Sequence, residues 1–258
     1  MNPLTFATHL AKGAGDILRQ HFRQHGALAS LKADRTVVTE ADFQSDQWIR
    51  KAIRETFPQD GILSEEEETR FPTEREFVWV IDPLDGTANF SLGLHHWGVS
   101  IARLKNGYPH LAAIYFPLLD ELFLASEGGG AFLNGSPLQV DPNSPDNPVS
   151  CFCCCSRTYR RYNISIRYKT RILGSAAYGL CTVAHGSATF AFEATPKVWD
   201  FAGSWLVTQE ASGVIAPIKG PPPFPLIPGQ NYDAICFPLL VAPTQELWAK
   251  GCQQIKKK

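Results

Sequence analysis

Two carboxylates close an apolar run in Trp79-Val80-Ile81-Asp82-Pro83-Leu84-Asp85-Gly86-Thr87-Ala88-Asn89-Phe90. Pro83 fixes the turn between Asp82 and Asp85, and the carbonyl of Leu84 lies between them. Such hard oxygen ligands suit a cation. Gly86-Thr87 opens a helix N-terminus with Thr87 as its cap, which leaves backbone N–H groups free for an anion. Phosphoryl transfer requires a site that binds both. Taken alone, the D-x-x-D-G-T pattern equally suits an exposed turn rich in Asp and Gly.

Two further acidic features point the same way. Ser64-Glu65-Glu66-Glu67-Glu68 follows the apolar pair Ile62-Leu63. Adjacent like charges repel; they fit a solvated loop, or a loop with one or two carboxylates facing bound cations. Trp199-Asp200-Phe201-Ala202-Gly203 sets an acid at the start of an apolar helix. An N-cap aspartate there keeps a second oxygen for another ligand.

The elements that must position these residues follow from periodicity. Leu10, Ala14, Ile17 and Leu18 recur at helical spacing within a helix over 4–24. A polar, extended stretch covers 30–39. A second helix spans 42–57, with Trp48, Ile49, Ala52, Ile53 and Phe57 on one side, and stops at Pro58. The run 61–68 reads as a short acidic segment. Phe77 to Ile81 reads as a buried strand, and 97–104, 111–116 and 121–125 as successive strands. Asn106-Gly107 marks the first turn, and Asn134-Gly135 a hairpin between 131–133 and 137–140. Further on come a helix over 175–184, a strand over 188–193 and a helix over 200–211. A stiff loop follows, rich in proline from Pro221 to Pro228. A closing helix over 243–256 ends in the cations Lys256, Lys257 and Lys258. The expected division is 1–145 and 146–258, the second part contributing Asp200.

Composition excludes several classes. The 258 residues are 44% hydrophobic and 19% charged, an ordinary globular balance. A net charge of -1 gives no whole-chain pull toward nucleic acid or anionic membrane. No apolar run reaches the roughly 18 to 20 residues of a membrane span. Met1 to Arg19 lacks a signal-peptide pattern, so a cytoplasmic protein is expected. Of seven cysteines, the four within 151–155 read as small hydrophobes of a buried strand over 149–156. The basic stretch Arg157, Arg160, Arg161, Arg167, Lys169 and Arg171 is expected to face water rather than phosphate.

The motifs together resemble the inositol monophosphatase family. Asp82 to Phe90 matches its first signature, and Trp199 to Gly203 through Glu210-Ala211-Ser212-Gly213 is similar to its second. Val38-Thr39-Glu40-Ala41-Asp42 and Ser64-Glu65-Glu66 match its upstream acidic motifs. The resemblance implies an α/β fold, the layered αβαβα sandwich shared with sugar phosphatases. It also implies Mg²⁺-dependent, lithium-sensitive hydrolysis of a small phosphate monoester, with two to three ions per site. Glu65, Asp82 and the Leu84 carbonyl would hold the first ion, and Asp82, Asp85 and Asp200 the second. A third ion would lean on Glu65. Asp42 and Thr87 would orient and deprotonate the attacking water, and the N–H groups of Gly86 and Thr87 would cradle the phosphate. Gly174, Ser175, Ala176, Glu193, Asp85 and Asp200 would face the substrate.

Inositol 1-phosphate is the substrate the resemblance favours. Histidinol phosphate, a nucleotide bisphosphate or fructose 1,6-bisphosphate are its rivals on the same scaffold. A non-catalytic metal-binding scaffold is the reading from another class. Neither nucleic acid nor membrane is an expected partner, and the resemblance admits a homodimer. Two departures stand out. Ser64 replaces the family's usual glycine, and the roughly twenty residues between the Cys-rich strand and Gly174 leave no room for a strand plus a helix of about ten residues.

Overall fold

The computed structural model describes residues 2–23, 29–31, 37–143 and 149–258. Gln24 of the first predicted helix and positions 32–36 of the extended stretch lie outside the described residues.

The chain opens with α1 (Pro3–Arg23), β1 (Ala29–Leu31), β2 (Val37–Thr39) and α2 (Glu40–Thr56). Next come β3 (Gly61–Ser64), β4 (Phe77–Asp85), α3 (Thr87–Ser91), β5 (Gly98–Lys105) and β6 (Tyr108–Phe116). They are followed by β7 (Glu121–Ser126), β8 (Gly130–Leu133), β9 (Ser136–Leu138), β10 (Cys151–Cys154), α4 (Thr158–Arg161), β11 (Tyr162–Ile164) and β12 (Lys169–Arg171). The last stretch holds α5 (Ala176–Ala184), β13 (Ala188–Glu193), α6 (Val198–Glu210), β14 (Val214–Pro217), β15 (Leu239–Ala242), α7 (Gln245–Gln254) and β16 (Ile255–Lys257).

Strands β3 to β9 form a seven-stranded sheet in sequence order, antiparallel after the parallel β3–β4 pair. A five-stranded mixed sheet runs β12-β10-β13-β15-β14. The alternation of each strand sends neighbouring side chains to opposite faces. Trp79 and Ile81 of β4 pack under α1 and α2, against Phe6, Leu10, Ile49 and Ile53. Val78 and Val80 face the other way, into a cluster with Leu180 of α5 and Phe201 and Leu206 of α6. That cluster continues onto Cys153, Ala191 and Val241 of the smaller sheet. The far face of the smaller sheet, Phe152, Phe190, Phe192 and Leu240, is covered by Leu247 and Trp248 of α7. The layers are therefore α, β, α, β, α.

Several expectations need correction. β4 does not stop at Ile81: its ladder with β5 breaks after Asp82 and resumes at Asp85 opposite Gly98. Pro83, which has no N–H to donate, sits in that interruption. The start of the acidic segment is the fully buried strand β3. The segment 151–171 does hold a helix, because α4 is a single turn. The closing helix ends at Gln254, since Ile255 is buried and Ile255–Lys257 pairs with β11, so Lys256 and Lys257 lie on a strand. Strands β14 and β15, separated by the proline-rich loop, complete the smaller sheet.

Candidate active site

Parallel pairing sets Ser64 beside Ile81, and the Glu65 N–H donates to the Ile81 carbonyl at 3.2 Å. Glu65 thereby reaches the end of β4, where Asp82 is 2% exposed. Ligand-capable oxygens of Glu65, Asp82 and Asp200 lie within 4.8 Å of one another. Asp200 is not the N-cap the sequence suggests. It is the third residue of α6, and its Oδ2 accepts the N–H of the actual cap, Lys197, at 2.8 Å.

Asp85 lines the same cavity but turns toward the start of α5. Its Oδ1 accepts the Ala176 N–H at 3.0 Å, and its Oδ2 accepts the Ala177 N–H at 3.1 Å together with the Ser175 hydroxyl. Among the described residues, the tight cation-sized cluster is Glu65, Asp82 and Asp200.

Burial, reinforced by repulsion from Glu65, Asp85 and Asp200, holds the Asp82 carboxyl well above the usual range. Burial and repulsion from Glu65 and Asp85 do the same for Asp200. Asp85 is pushed up to about 6 by burial, against the pull of its hydrogen bonds from Ser175 and α5. Buried carboxylates that repel one another are short of a countercharge. An all-oxygen, all-carboxylate donor set fits a hard divalent cation and not a soft one.

Thr87 lines the same cavity, and the buried Asp42 stands behind it. Asp42 Oδ2 accepts the backbone N–H of Thr39 at 2.8 Å and its hydroxyl at 2.6 Å. Thr87 Oγ1 lies 3.2 Å from Asp42 Oδ1 and 3.0 Å from the Leu84 carbonyl, so its one proton serves one acceptor at a time. Burial lifts Asp42 to about 6 despite the Thr39 hydrogen bonds, with Glu66 adding to the rise. Thr87 is not a cap, because the cap of α3 is Gly86 at φ 90°. A Cβ on Gly86 would stand 2.8 Å from the His96 carbonyl, so this position requires glycine.

Two adjoining cavities meet at these residues. One, of about 310 Å³, is lined by Glu65, Asp82, Leu84, Asp85, Gly86, Thr87, Ala88, Arg157, Gly174 and Asp200. The other, of about 230 Å³, is lined by Cys155, Ser156, Ser175, Ala176, Glu193, Thr195 and Pro196, and shares Asp85, Arg157, Gly174 and Asp200 with the first. All the anticipated substrate-facing residues therefore line one cavity or the other, and Asp42 joins them through Thr87. Glu193 is buried, and burial together with the neighbouring Cys155 keeps its carboxyl well above the usual range. A larger cavity of about 530 Å³, with Arg54, Arg70 and Arg75 in its wall, shares no residue with either.

Sequence reasoning assigned no role to Arg157 or Asn89. Arg157 belongs to a basic stretch expected to face water. It is exposed, yet it lines both cavities and donates to Thr195 Oγ1 at 3.1 Å. Asn89 donates to the His96 and Leu173 carbonyls at 2.6 and 2.7 Å, bracing the turn at Gly174. Its place inside the Asp82 to Phe90 motif was the available signal. The cysteine reading holds for Cys153 and Cys154, which are buried in β10, with Cys154 raised to about 12 by burial.

The layered sandwich, with an acidic cluster where its main sheet meets α6, is the fold of the inositol monophosphatases. The model of the inositol monophosphatase family matches residues 2–249, and the chain belongs to that family. The Nus factor SuhB of Escherichia coli is 35% identical over 244 residues, 90% of this chain and 88% of that protein. A fructose-1,6-bisphosphatase/inositol-1-monophosphatase of Thermotoga maritima is 30% identical over 229 residues, 85% of this chain and 86% of its own length. Among solved structures, the extragenic suppressor protein suhB of Bartonella henselae has a TM-score of 0.82 at 26% identity, covering 98% of both chains. The Thermotoga maritima IMPase has a TM-score of 0.79 at 26% identity, covering 98% of this chain and 97% of that one. No helix among the described residues is long and apolar enough to cross a membrane.

Proposed function

We propose that this chain hydrolyses small phosphate monoesters of polyols or sugars with two to three Mg²⁺ ions, inositol 1-phosphate being the first substrate to test. The observation that supports this most is one cavity lined both by the Glu65, Asp82 and Asp200 carboxylates and by Thr87, which Asp42 backs. Glu65, Asp82, Asp200, the Leu84 carbonyl and Asp85 are the residues that would hold the cations. When bound, divalent cations there supply charge neutralisation at the phosphate and its leaving oxygen, and acidify water.

The chain's own groups do the rest. Thr87 donates to Asp42 and accepts from the attacking water, which fixes the oxygen lone pair toward phosphorus. Asp42 takes the proton through Thr87, whose hydroxyl proton passes to Oδ1 as it receives the water's, and a carboxyl near 6 is deprotonated and basic at neutral pH. As the water oxygen bonds to phosphorus the bond to the ester oxygen breaks, and the alcohol leaves with a proton from solvent water. The N–H groups of Gly86 and Thr87 receive phosphate oxygens. Asp85, Ser175, Ala176 and Glu193 line the neighbouring space where the alcohol part of the ester sits. Glu193 suits a polyol with paired hydroxyls, and equally the ammonium of histidinol.

A panel of phosphate esters compared by kcat/KM, with and without Mg²⁺, tests the reading. It includes inositol 1-phosphate, histidinol phosphate, fructose 1,6-bisphosphate and 3′-phosphoadenosine 5′-phosphate. Hydrolysis of none of them sinks it. Li⁺, small and hard but singly charged, is expected to inhibit more than K⁺ at equal ionic strength. The name Nus factor borne by the 35% identical relatives favours a second reading, in which the fold serves as a binding module. Against it stands the full set of Asp42, Glu65, Asp82, Thr87 and Asp200 around one site.

A further inference from the structure

Ser64 stands where the family usually has glycine, immediately before Glu65, and its side chain is completely buried. Its hydroxyl donates to Oδ1 of Asp46. Asp46 is 2% exposed, and its Oδ2 accepts from Nη1 of Arg50 at 3.0 Å. The same Nη1 pairs with Glu67 on the far side of Glu65-Glu66. Two residues one turn apart on α2 thus grip both flanks of the loop that carries Glu65. One turn earlier, on the same stripe, Asp42 meets Thr87.

None of Ser64, Asp46 and Arg50 lines either cavity of the site. Taking an Asp–Arg pair out of water is costly, and such a pair is weak support for stability by itself. Its geometry, by contrast, is well suited to fixing a distance. α2 holds Asp42 at one end of the stripe and the Glu65 loop at the other, as one rigid piece.

We propose that Asp46 and Arg50 are positioning residues, acting with Ser64 to set the Glu65 loop against Asp82 and Asp42 so that the cation cluster is formed before the ion arrives. The inference rests on the metal-dependent reading above. Because neither residue touches substrate, its effect falls on cation affinity. Residues that orient metal ligands typically alter affinity by roughly 10- to 100-fold when changed.

The test follows the thermal unfolding midpoint against Mg²⁺ concentration for the wild type, Asp46→Asn, Arg50→Met, Arg50→Lys, Ser64→Ala and Asp82→Asn. The half-saturating Mg²⁺ should rise about tenfold or more in Asp46→Asn and Arg50→Met. Arg50→Lys should recover part of the loss, because a single nitrogen bridges Asp46 and Glu67. Adding Ser64→Ala to Asp46→Asn should raise it no further, as members of one network are not additive. Hydrolysis of inositol 1-phosphate should recover at saturating Mg²⁺ in Asp46→Asn. Ser64→Ala, which deletes one hydroxyl, decides the matter if the Arg50 variants fail to fold. Variants that lower the metal-free midpoint but leave half-saturation unchanged would overturn the proposal and leave the metal reading standing. An Asp82→Asn protein that responds to Mg²⁺ like the wild type would overturn both.

Discussion

The Ser175 hydroxyl donates to the carboxylate of Asp85, 90 positions earlier in the chain. With the N–H groups of Ala176 and Ala177 on the same carboxylate, Asp85 joins β4 of the large sheet to the first turn of α5. The cluster of Glu65, Asp82 and Asp200 and the cavity beside Glu193 meet at this contact. On the proposed reading, Asp85 stands between the substrate and the cations.

Asp85→Asn is the sharpest test of that placement. An amide keeps one acceptor and turns a donor toward N–H or O–H groups that need acceptors. Leaving such groups unpaired costs about 1–3 kcal/mol, seen as a lower unfolding midpoint. Turnover should fall much further, by several kcal/mol of transition-state stabilisation, if Asp85 also serves the cation. Near-normal kcat at saturating Mg²⁺ would remove Asp85 from the site.

Thr87→Ala separates water orientation from phosphate binding. Thr87 is the first residue of α3 and not its cap, so stability should change little. kcat should drop more than KM rises, because the hydroxyl acts mainly in the transition state. Its hydrogen bond favours the charged form of Asp42. Without it, the acid limb of the kcat profile, expected near or below pH 6, should move upward. An unmoved limb would mean that Asp42 is not the base.

Gly174→Ala probes the turn between the two cavities. At φ 81° a side chain is strained, and a Cβ would stand 2.5 Å from Asn89 Oδ1. The strain is on the order of 1–3 kcal/mol. The alanine variant should unfold at a lower temperature and raise KM for the ester. Asn89→Ala, which frees the space but drops the bonds to His96 and Leu173, should not restore KM.

Much of this site was legible because its chemistry is written in contiguous stretches: Asp82 to Phe90, Ser64 to Glu66, and Trp199 to Gly203. Residue type plus a strand end sufficed to group Asp82, Asp85 and Thr87. Caps were misread by one residue at Thr87 and by three at Asp200, because Asp, Ser and Thr serve as caps and as first-turn residues alike; Asp200, like Asp42, is a third residue whose carboxylate bonds back to the cap N–H. The Asp46–Ser64 contact could not be seen, since its partners are 18 residues apart and their meeting depends on how α2 packs on β4. Strand β15 was hidden by length: four residues after a proline-rich loop give no periodicity to read.

Proton binding and cation binding compete for the same carboxylates. Asp82, Asp85, Asp200 and Glu193 all have carboxyls raised by burial in the folded chain. In the unfolded chain they return to about 4. The folded state therefore binds more protons than the unfolded one. Their contribution to stability is fully present below pH of about 4 and is lost as pH rises through about 6 and beyond. In EDTA the unfolding midpoint should fall as pH is raised from 5 to 8. Mg²⁺ should flatten or reverse that slope, because cation binding requires the deprotonated carboxylates and releases their protons. Asp200→Asn should flatten the EDTA curve by removing one repelling charge, and should weaken the Mg²⁺ response at the same time. Unfolding curves at stepped pH, with EDTA or Mg²⁺ and against a K⁺ control at equal ionic strength, measure both. Identical pH profiles in EDTA and Mg²⁺ would mean that the clustered carboxylates do not bind the cation.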